Sequence, residues 1–237
     1  MTFRVPLPTT IVPFLSLALI LGSGALLEGQ ARGKTALLNP DAANEQAPEK
    51  FRVNFETTAG RFVVEVHRAW APLGADRFYN LVKRGFYDGN RFHRVTDLVA
   101  QFGFPGDPDV AKAWLGKNIL DDPARMLSAN SDEVNPKGKM AQSNRRGFVA
   151  FSQPGANRRS TQLMIHLVDS STLDSQVTPF GQVVSGMNVV DKLYKDYGEP
   201  GPVGQGPIPS RIFADGNMYL EKEFPRLDYI KTATLVS

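Results

Sequence analysis

The chain predicts a predominantly antiparallel β fold plugged by helices. Three observations lead there. A period-two hairpin opens the folded region at Phe51, short strand-like runs recur after it, and only two well-separated helical patterns interrupt them. No internal repeat, GxGxxG run or P-loop run occurs, so the order of elements does not suggest a nucleotide-binding α/β sheet.

Residues 1–31 stand apart. Arg4 is the only charge ahead of an apolar run from Ile11 to Leu27, about 17 residues where spanning a bilayer takes ~20. The run ends in small residues, and Gly29-Gln30-Ala31 supplies small side chains at −3 and −1, the pattern of a secretory signal. An uncleaved N-terminal anchor over residues 11–27 is the alternative, and either one implies export to the periplasm or the extracellular space. The lack of a cysteine excludes a bacterial lipoprotein signal. Residues 32–50 lack periodicity and read as a flexible linker or early loop.

From Phe51 to Glu56 the odd positions are apolar and the even ones polar. Phe62, Val64 and Val66 then alternate with Arg61, Glu65 and His67. The join Thr57-Thr58-Ala59-Gly60 makes the two a hairpin, with Gly60 providing a positive φ. A helix begins at Pro72, where the missing N–H costs nothing. Ala75, Phe78, Leu81 and Val82 share one face, and Gly85 stops the helix as its C′ residue behind Lys83 and Arg84.

Asp107 to Gly116 reads as a short helix or turn, and residues 117–146 as mostly loop. Strand character returns at Gly147–Ser152, Thr161–Val168 and Phe180–Val184, followed by a helix around Met187–Tyr194. After a Pro/Gly passage the tail from Arg211 to Ser237 is too apolar for a solvated end and is expected to pack back on the domain.

Composition narrows the function. Twenty-seven basic residues face 24 acidic ones, a net +3 with no long basic block, so nucleic acid is not an implied partner. The pairs Arg145-Arg146 and Arg158-Arg159 read as loop decoration. With no cysteine there is no disulfide, thiolate nucleophile or Cys-based zinc site. His67, His93 and His166 have no ligand-like spacing, and no metal or cofactor is expected. The acidic residues of 117–146 lack the alternating register of a calcium loop, which leaves a calcium-dependent structural domain as a third, weaker reading.

The stretch Arg91–Asp107, RFHRVTDLVAQFGFPGD, pairs Arg94 with Gln101 among apolar neighbours and then punctuates with Phe102-Gly103-Phe104-Pro105-Gly106. By itself this is either a donor-lined apolar site or a half-buried strand whose polar residues face water. Taken with Phe92-His93-Arg94, then Gln162, Leu173-Asp174 and Pro179-Phe180-Gly181-Gln182-Val183-Val184, the chain resembles the cyclophilin-type peptidyl-prolyl cis-trans isomerases. The resemblance spans roughly Phe51 to Asp196 and includes the order of elements and Gly-Phe-Tyr-Asp-Gly at 85–89.

That resemblance implies a closed eight-stranded antiparallel barrel capped by two helices, with the active groove outside it. It implies an isomerase domain at 51–198 with a loop insertion about 106–146, and a C-terminal extension at 199–237 packed on the domain. The tail resembles those of exported bacterial members.

Residue by residue, Arg94 matches the family's catalytic arginine, and Phe92 and His93 its two predecessors. Gln101 matches the active-site glutamine once one residue is deleted after Arg94, which puts Leu98 and Val99 at the usual Phe-Met pair. Gln162 matches the second groove glutamine, and Phe151, Ser152 and Gln153 the strand that pairs with substrate backbone. Met164 replaces a pocket phenylalanine, Leu173 matches the pocket leucine, Val177 replaces a histidine, and Thr172 stands where many members have tryptophan.

An aliphatic and thioether pocket forfeits ring packing of ~0.5–1.5 kcal/mol, so activity is expected to be reduced and not abolished. The threonine should also weaken binding of the cyclic undecapeptide inhibitor associated with the family. The implied partners are proline-containing polypeptides, unfolded or folding, and a monomer is expected. The competing reading is a catalytically weak module that binds Pro-containing segments.

Overall fold

A computed structural model describes residues 33–122, 142–174 and 176–236. The signal or anchor segment, most of the loop at 117–146, and Ser175 and Ser237 lie outside these residues.

Eight strands form one antiparallel sheet in the order β3-β4-β6-β5-β7-β2-β1-β8. They are β1 Lys50–Thr57, β2 Arg61–His67, β3 Arg94–Val95, β4 Val99–Phe102, β5 Phe148–Phe151, β6 Leu163–His166, β7 Pro179–Ser185 and β8 Ile230–Val236. The sheet curls into a half-barrel around Phe55, Phe62, Phe102, Phe151, Leu163, Ile165 and Phe180, all almost wholly buried. No β3–β8 ladder runs along the seam among the described residues. The segments leading into those strands do meet there, through an Arg91–Tyr229 bridge and Phe92 N–H donating to Asp228 O at 2.9 Å.

The β1–β2 hairpin follows its predicted alternation, from Lys50 opposite His67 to Glu56 opposite Arg61, with Gly60 at φ 133°. Its outer face carries a buried carboxylate. Glu65 accepts from Lys50 Nζ at 2.9 Å and Arg52 Nη2 at 2.8 Å, with His67 Nε2 3.1 Å away. The Lys50 hydrogen bond, joined by that of Arg52, outweighs burial and holds the carboxyl at about 2 against a usual 4.5.

A depressed carboxylate stabilises the fold fully above its unfolded pKa and loses that contribution as pH falls through its folded one. Stability should therefore show an acid limb between pH 4.5 and about 2. Glu65→Gln should flatten that limb in acid denaturation followed by circular dichroism; an unchanged limb would refute the assignment.

The helix Pro72–Lys83 ends where predicted, at Gly85 with φ 70°. Its Phe78 ring plugs the half-barrel, 6.3 Å from Phe55 and 5.0 Å from Phe180 between centroids. Its N-terminus is capped from a distance. Ala71 makes no side-chain cap, while Asp122 accepts from Leu73 N–H at 2.9 Å and Gly74 N–H at 3.0 Å. Asp122 also pairs with Arg159 Nη1 at 2.8 Å, both side chains being buried. Arg159 is thus a core ion-pair partner and not loop decoration: burying the helix end required an anion, and the anion a cation.

Residues 33–50 are no flexible linker. Arg84 donates to Ala36 O at 2.9 Å and to Ala42 O, Trp114 Nε1 to Leu37 O at 2.8 Å, and Asn80 exchanges hydrogen bonds with the Glu45 backbone. The segment's backbone groups thus find their partners in side chains of the domain, a signal that composition does not carry.

Asp107 caps the short helix Pro108–Trp114 by accepting from Asp109 N–H at 2.8 Å. The helix expected over Met187–Tyr194 shortens to Met187–Val190. The tail goes further than packing back. Its helix Pro209–Glu223 breaks at Gly216, φ 58°, where a Cβ would lie 2.1 Å from Gly106 O. Ile212, Tyr219, Leu220, Phe224 and Leu227 form a second small core against Phe104 and Tyr197. Beyond it β8 pairs along β1 as a full member of the sheet.

Candidate active site

The site lies on the outer face of β3, β4 and β6. Period-two alternation turns Val95, Ala100, Phe102, Leu163 and Ile165 into the core, so Arg94, Gln101 and Met164 face the other way. The register sets Arg94 opposite Gln101, and Gln101 opposite Met164.

Gly103 allows the neighbouring loops to close on this face. With φ 112°, it passes so near the Thr161 backbone that a Cβ would lie 2.4 Å from Thr161 O. Thr161 Oγ1 then donates to Gly103 O at 2.9 Å, fixing the approach to Gln162.

A chain of side-chain hydrogen bonds links the polar members. Arg94 Nη1 donates to Gln101 Oε1 at 3.3 Å. Gln101 Nε2 donates to Ser152 Oγ at 2.6 Å and, more weakly, to Gln162 Oε1 at 3.4 Å. The orientation of the Gln101 amide follows from its neighbours, because an NH2 facing the guanidinium would set donor against donor. Gln162 accepts through its oxygen, so the hydrogens of its NH2 are not used in this chain of bonds. The one-residue deletion inferred between Arg94 and Gln101 is consistent with this contact. Between the two strands a tight turn closes with Thr96 N–H donating to Val99 O at 2.9 Å.

Not every predicted residue joins the group. Phe92 is fully buried and packs on Phe102 at 5.3 Å, and Phe151 is buried against Phe180 at 5.4 Å, so neither ring offers surface to a ligand. Phe151 stands one residue out of phase with Ser152 and so turns inward, whereas Phe92 precedes β3 and packs into the core against Phe102. Leu98 is 59% exposed on the β3–β4 turn, while Val99 is buried opposite His166. Gln153 donates to Gln176 O at 2.8 Å. Thr172 is exposed and Leu173 half-buried on the 3-10 turn Ser171–Leu173. Val177 is buried, its carbonyl accepting from Asn144 Nδ2 at 2.9 Å.

Burial lowers the pKa of both histidines near the site. Burial, with Arg94 adding repulsion, pushes His93 down to about 3 despite a hydrogen bond with the Arg91 backbone. Burial also lowers His166, which sits beneath the same face.

Sequence reasoning missed two features. Glu199, from the tail, takes Arg94 in a bidentate grip, Nε to Oε2 and Nη2 to Oε1, each at 2.7 Å. A cavity of about 260 Å³ adjoins the polar chain, lined by Phe104, Trp114, Ser152, Arg158, Gln162 and Phe213. An acid within a Pro/Gly run carries no periodic signal, and Phe213 reaches the site only through the tail's tertiary packing.

Fold and site together define a cyclophilin-type enzyme. Residues 52–210 match the model of the family described as cyclophilin type peptidyl-prolyl cis-trans isomerase/CLD, and the chain belongs to that family. Peptidyl-prolyl cis-trans isomerase-like 1 of Rhizopus delemar is 32% identical over 145 residues, 61% of this chain and 81% of the relative. The isomerase ppi1 of Schizosaccharomyces pombe is 32% identical over 142 residues, covering 60% and 83%.

Among solved structures, a cyclophilin-type isomerase of Cryptosporidium parvum superposes with a TM-score of 0.54 at 18% identity, covering 79% of this chain and 98% of its own. A cyclophilin from Hirschia baltica gives 0.55 at 17%, covering 82% and 77%. These two likenesses bear on the fold. The family membership makes this chain a peptidyl-prolyl cis-trans isomerase, EC 5.2.1.8.

Proposed function

We propose that this isomerase turns X–Pro bonds in exported polypeptides as they fold, with Arg94 as the donor to the twisted amide. The observation that supports it most is the arrangement of Arg94, Gln101 and Gln162: one guanidinium and two amides on a single outer face, joined by hydrogen bonds.

A peptide bond resists rotation by ~18–20 kcal/mol because the nitrogen lone pair is delocalised into the carbonyl. For X–Pro the two isomers differ by only ~0.5–1 kcal/mol, so exchange is slow yet nearly balanced. At the twisted transition state the lone pair returns to the prolyl nitrogen, which becomes an acceptor. A guanidinium can donate to it there and not in the planar ground state, which stabilises the transition state selectively. Arginine suits this role, since it stays charged and its donor fork is rigid.

The Gln162 amide would hold a flanking carbonyl, and Met164, opposite Gln101 in the register, would contribute to the apolar grip on the ring. Phe104 and Trp114 give the adjoining cavity an apolar wall for a neighbouring substrate side chain. No bond is broken in the reaction, and no nucleophile or cofactor is required.

The finer layout belongs to this reading too. The half-barrel is taken as a closed barrel whose seam is carried by the Arg91–Tyr229 bridge. The isomerase unit is taken as a monomer of the exported bacterial kind. Residues 1–31 act as a secretory signal or anchor; among the described residues no helix is long and apolar enough to cross a membrane. Sequencing the mature N-terminus of the exported protein should find Arg32 first if the signal is cleaved. A full-length chain retained in the cytoplasm would refute export.

A purely binding role is the second reading, favoured by the exposed Leu98 and the aliphatic pocket. Refolding separates the two. An isomerase shortens a proline-limited phase of ~10–100 s in a catalytic fashion. A binder leaves that phase unchanged or prolongs it, and such a result would reject the enzymatic account.

A further inference from the structure

We propose that Glu199 is a positioning residue: it holds the Arg94 guanidinium by one edge so that the opposite edge faces the substrate. The inference rests on the reading of Arg94 as the donor.

Three observations lead to it. First, the grip is side-on. Glu199 takes the Nε and Nη2 hydrogens, both at 2.7 Å, while Nη1 faces Gln101 Oε1 at 3.3 Å. Of the five guanidinium N–H groups, two go to the carboxylate and one to Gln101. One on each terminal nitrogen is left for a ligand. The carboxylate therefore does not cover the edge that would work on the amide, and a substrate need not displace it.

Second, the carboxylate is delivered by a built turn. Gly206 N–H donates to Glu199 O at 2.8 Å, Gly204 N–H to Pro200 O at 3.0 Å, and Gly201 N–H to Gly206 O at 3.1 Å. A Cβ at Gly204 would lie 2.2 Å from Glu199 O, so the turn closes this tightly only with glycine there. The Pro/Gly passage ahead of the tail is the mount for one acid.

Third, stability does not account for the pair. The Arg94 and Glu199 side chains are 27% and 44% exposed, and a pair so open to water adds little to folding. What a bidentate contact does supply is geometry, since it fixes both the plane and the rotation of the fork. A long arginine side chain on a two-residue strand otherwise has many rotamers to lose at the transition state. The Arg94 hydrogen bond also keeps the Glu199 carboxyl below its usual range.

The test compares Glu199→Ala, Glu199→Gln and Arg94→Ala in the full chain, measuring kcat and KM on an Ala-Pro peptide. Glu199→Ala should lower kcat about tenfold, short of the ~10²-fold cost of a 1 Å misplacement, with KM little changed. Glu199→Gln should fall between, because its amide oxygen can still accept one of the two hydrogens. The Arg94 Nε–H proton resonance, shifted by the charged partner in the wild type, should move in both Glu199 variants. That signature reads the Arg94 contact directly, and an unchanged urea midpoint separates it from an effect on folding.

If Arg94→Ala is inactive while both Glu199 variants keep wild-type kcat, Glu199 does not position the donor. A kcat above wild type would make the carboxylate a brake and overturn the proposal equally. If Arg94→Ala itself retains wild-type kcat, it is the reading of Arg94 as donor that fails.

Discussion

Asp122→Ala should destabilise the protein by about 3–5 kcal/mol, the largest loss expected from any single truncation outside the aromatic core. Asp122 serves three donors at once: the Leu73 and Gly74 amides at the start of the helix Pro72–Lys83 and the Arg159 guanidinium. Both partners of the ion pair are buried, at 2% and 4% side-chain exposure. Removing the carboxylate leaves a buried cation without its closest counter-charge and a helix N-terminus without its cap. The same helix carries Phe78 into the half-barrel, so the loss reaches the core. A urea titration would read it as a lower midpoint at unchanged slope. Replacing Arg159 by leucine as well should recover part of it, since the orphaned charge is then gone. A single-variant loss below ~1 kcal/mol, the value of an exposed pair, would rule out this role.

Arg94→Ala should lower kcat/KM by about 10²–10³, the usual consequence of deleting a preorganised donor to developing charge. The urea midpoint should barely move, because the side chain is part-exposed and outside the core. Arg94→Lys should recover little: an ammonium keeps the charge but cannot meet Glu199 with two hydrogens and Gln101 with a third at once. A lysine variant as active as wild type would show that charge suffices and that fork geometry is irrelevant.

Much of this fold was legible because local rules and tertiary packing agree. Phe51, Val53 and Phe55 alternate because one face of β1 is buried, and Gly85 ends its helix because only a positive φ turns the chain there. Arg94, Gln101 and Gln162 were found from their order along the chain, and the β3–β4 and β4–β6 registers brought them together.

The failures share a cause. β8 was missed although Ile230-Lys-Thr-Ala-Thr-Leu-Val is rich in β-branched residues. Its pairing partner, β1, is over 170 residues away, and an edge strand shows weak alternation. Residues 33–50 looked unstructured since much of their anchoring comes from the distant side chains of Asn80, Arg84 and Trp114, which leave no pattern in the segment itself. Phe92 and Phe151 were assigned to the groove by their match to the family pattern, yet alternation turns Phe151 inward beside Ser152, and Phe92, ahead of β3, packs on Phe102. Glu199 had no pattern to betray it, because its role exists only once a glycine turn from the tail meets β3.

The most direct test of Arg94 as the catalytic donor is exchange NMR on a short Ala-Pro peptide at substoichiometric enzyme. The account predicts cis–trans exchange cross-peaks with the wild type, on a timescale far faster than the uncatalysed tens of seconds, and their loss with Arg94→Ala at equal peptide binding. Peptide binding by the wild type without accelerated exchange, or undiminished exchange in Arg94→Ala, would contradict it.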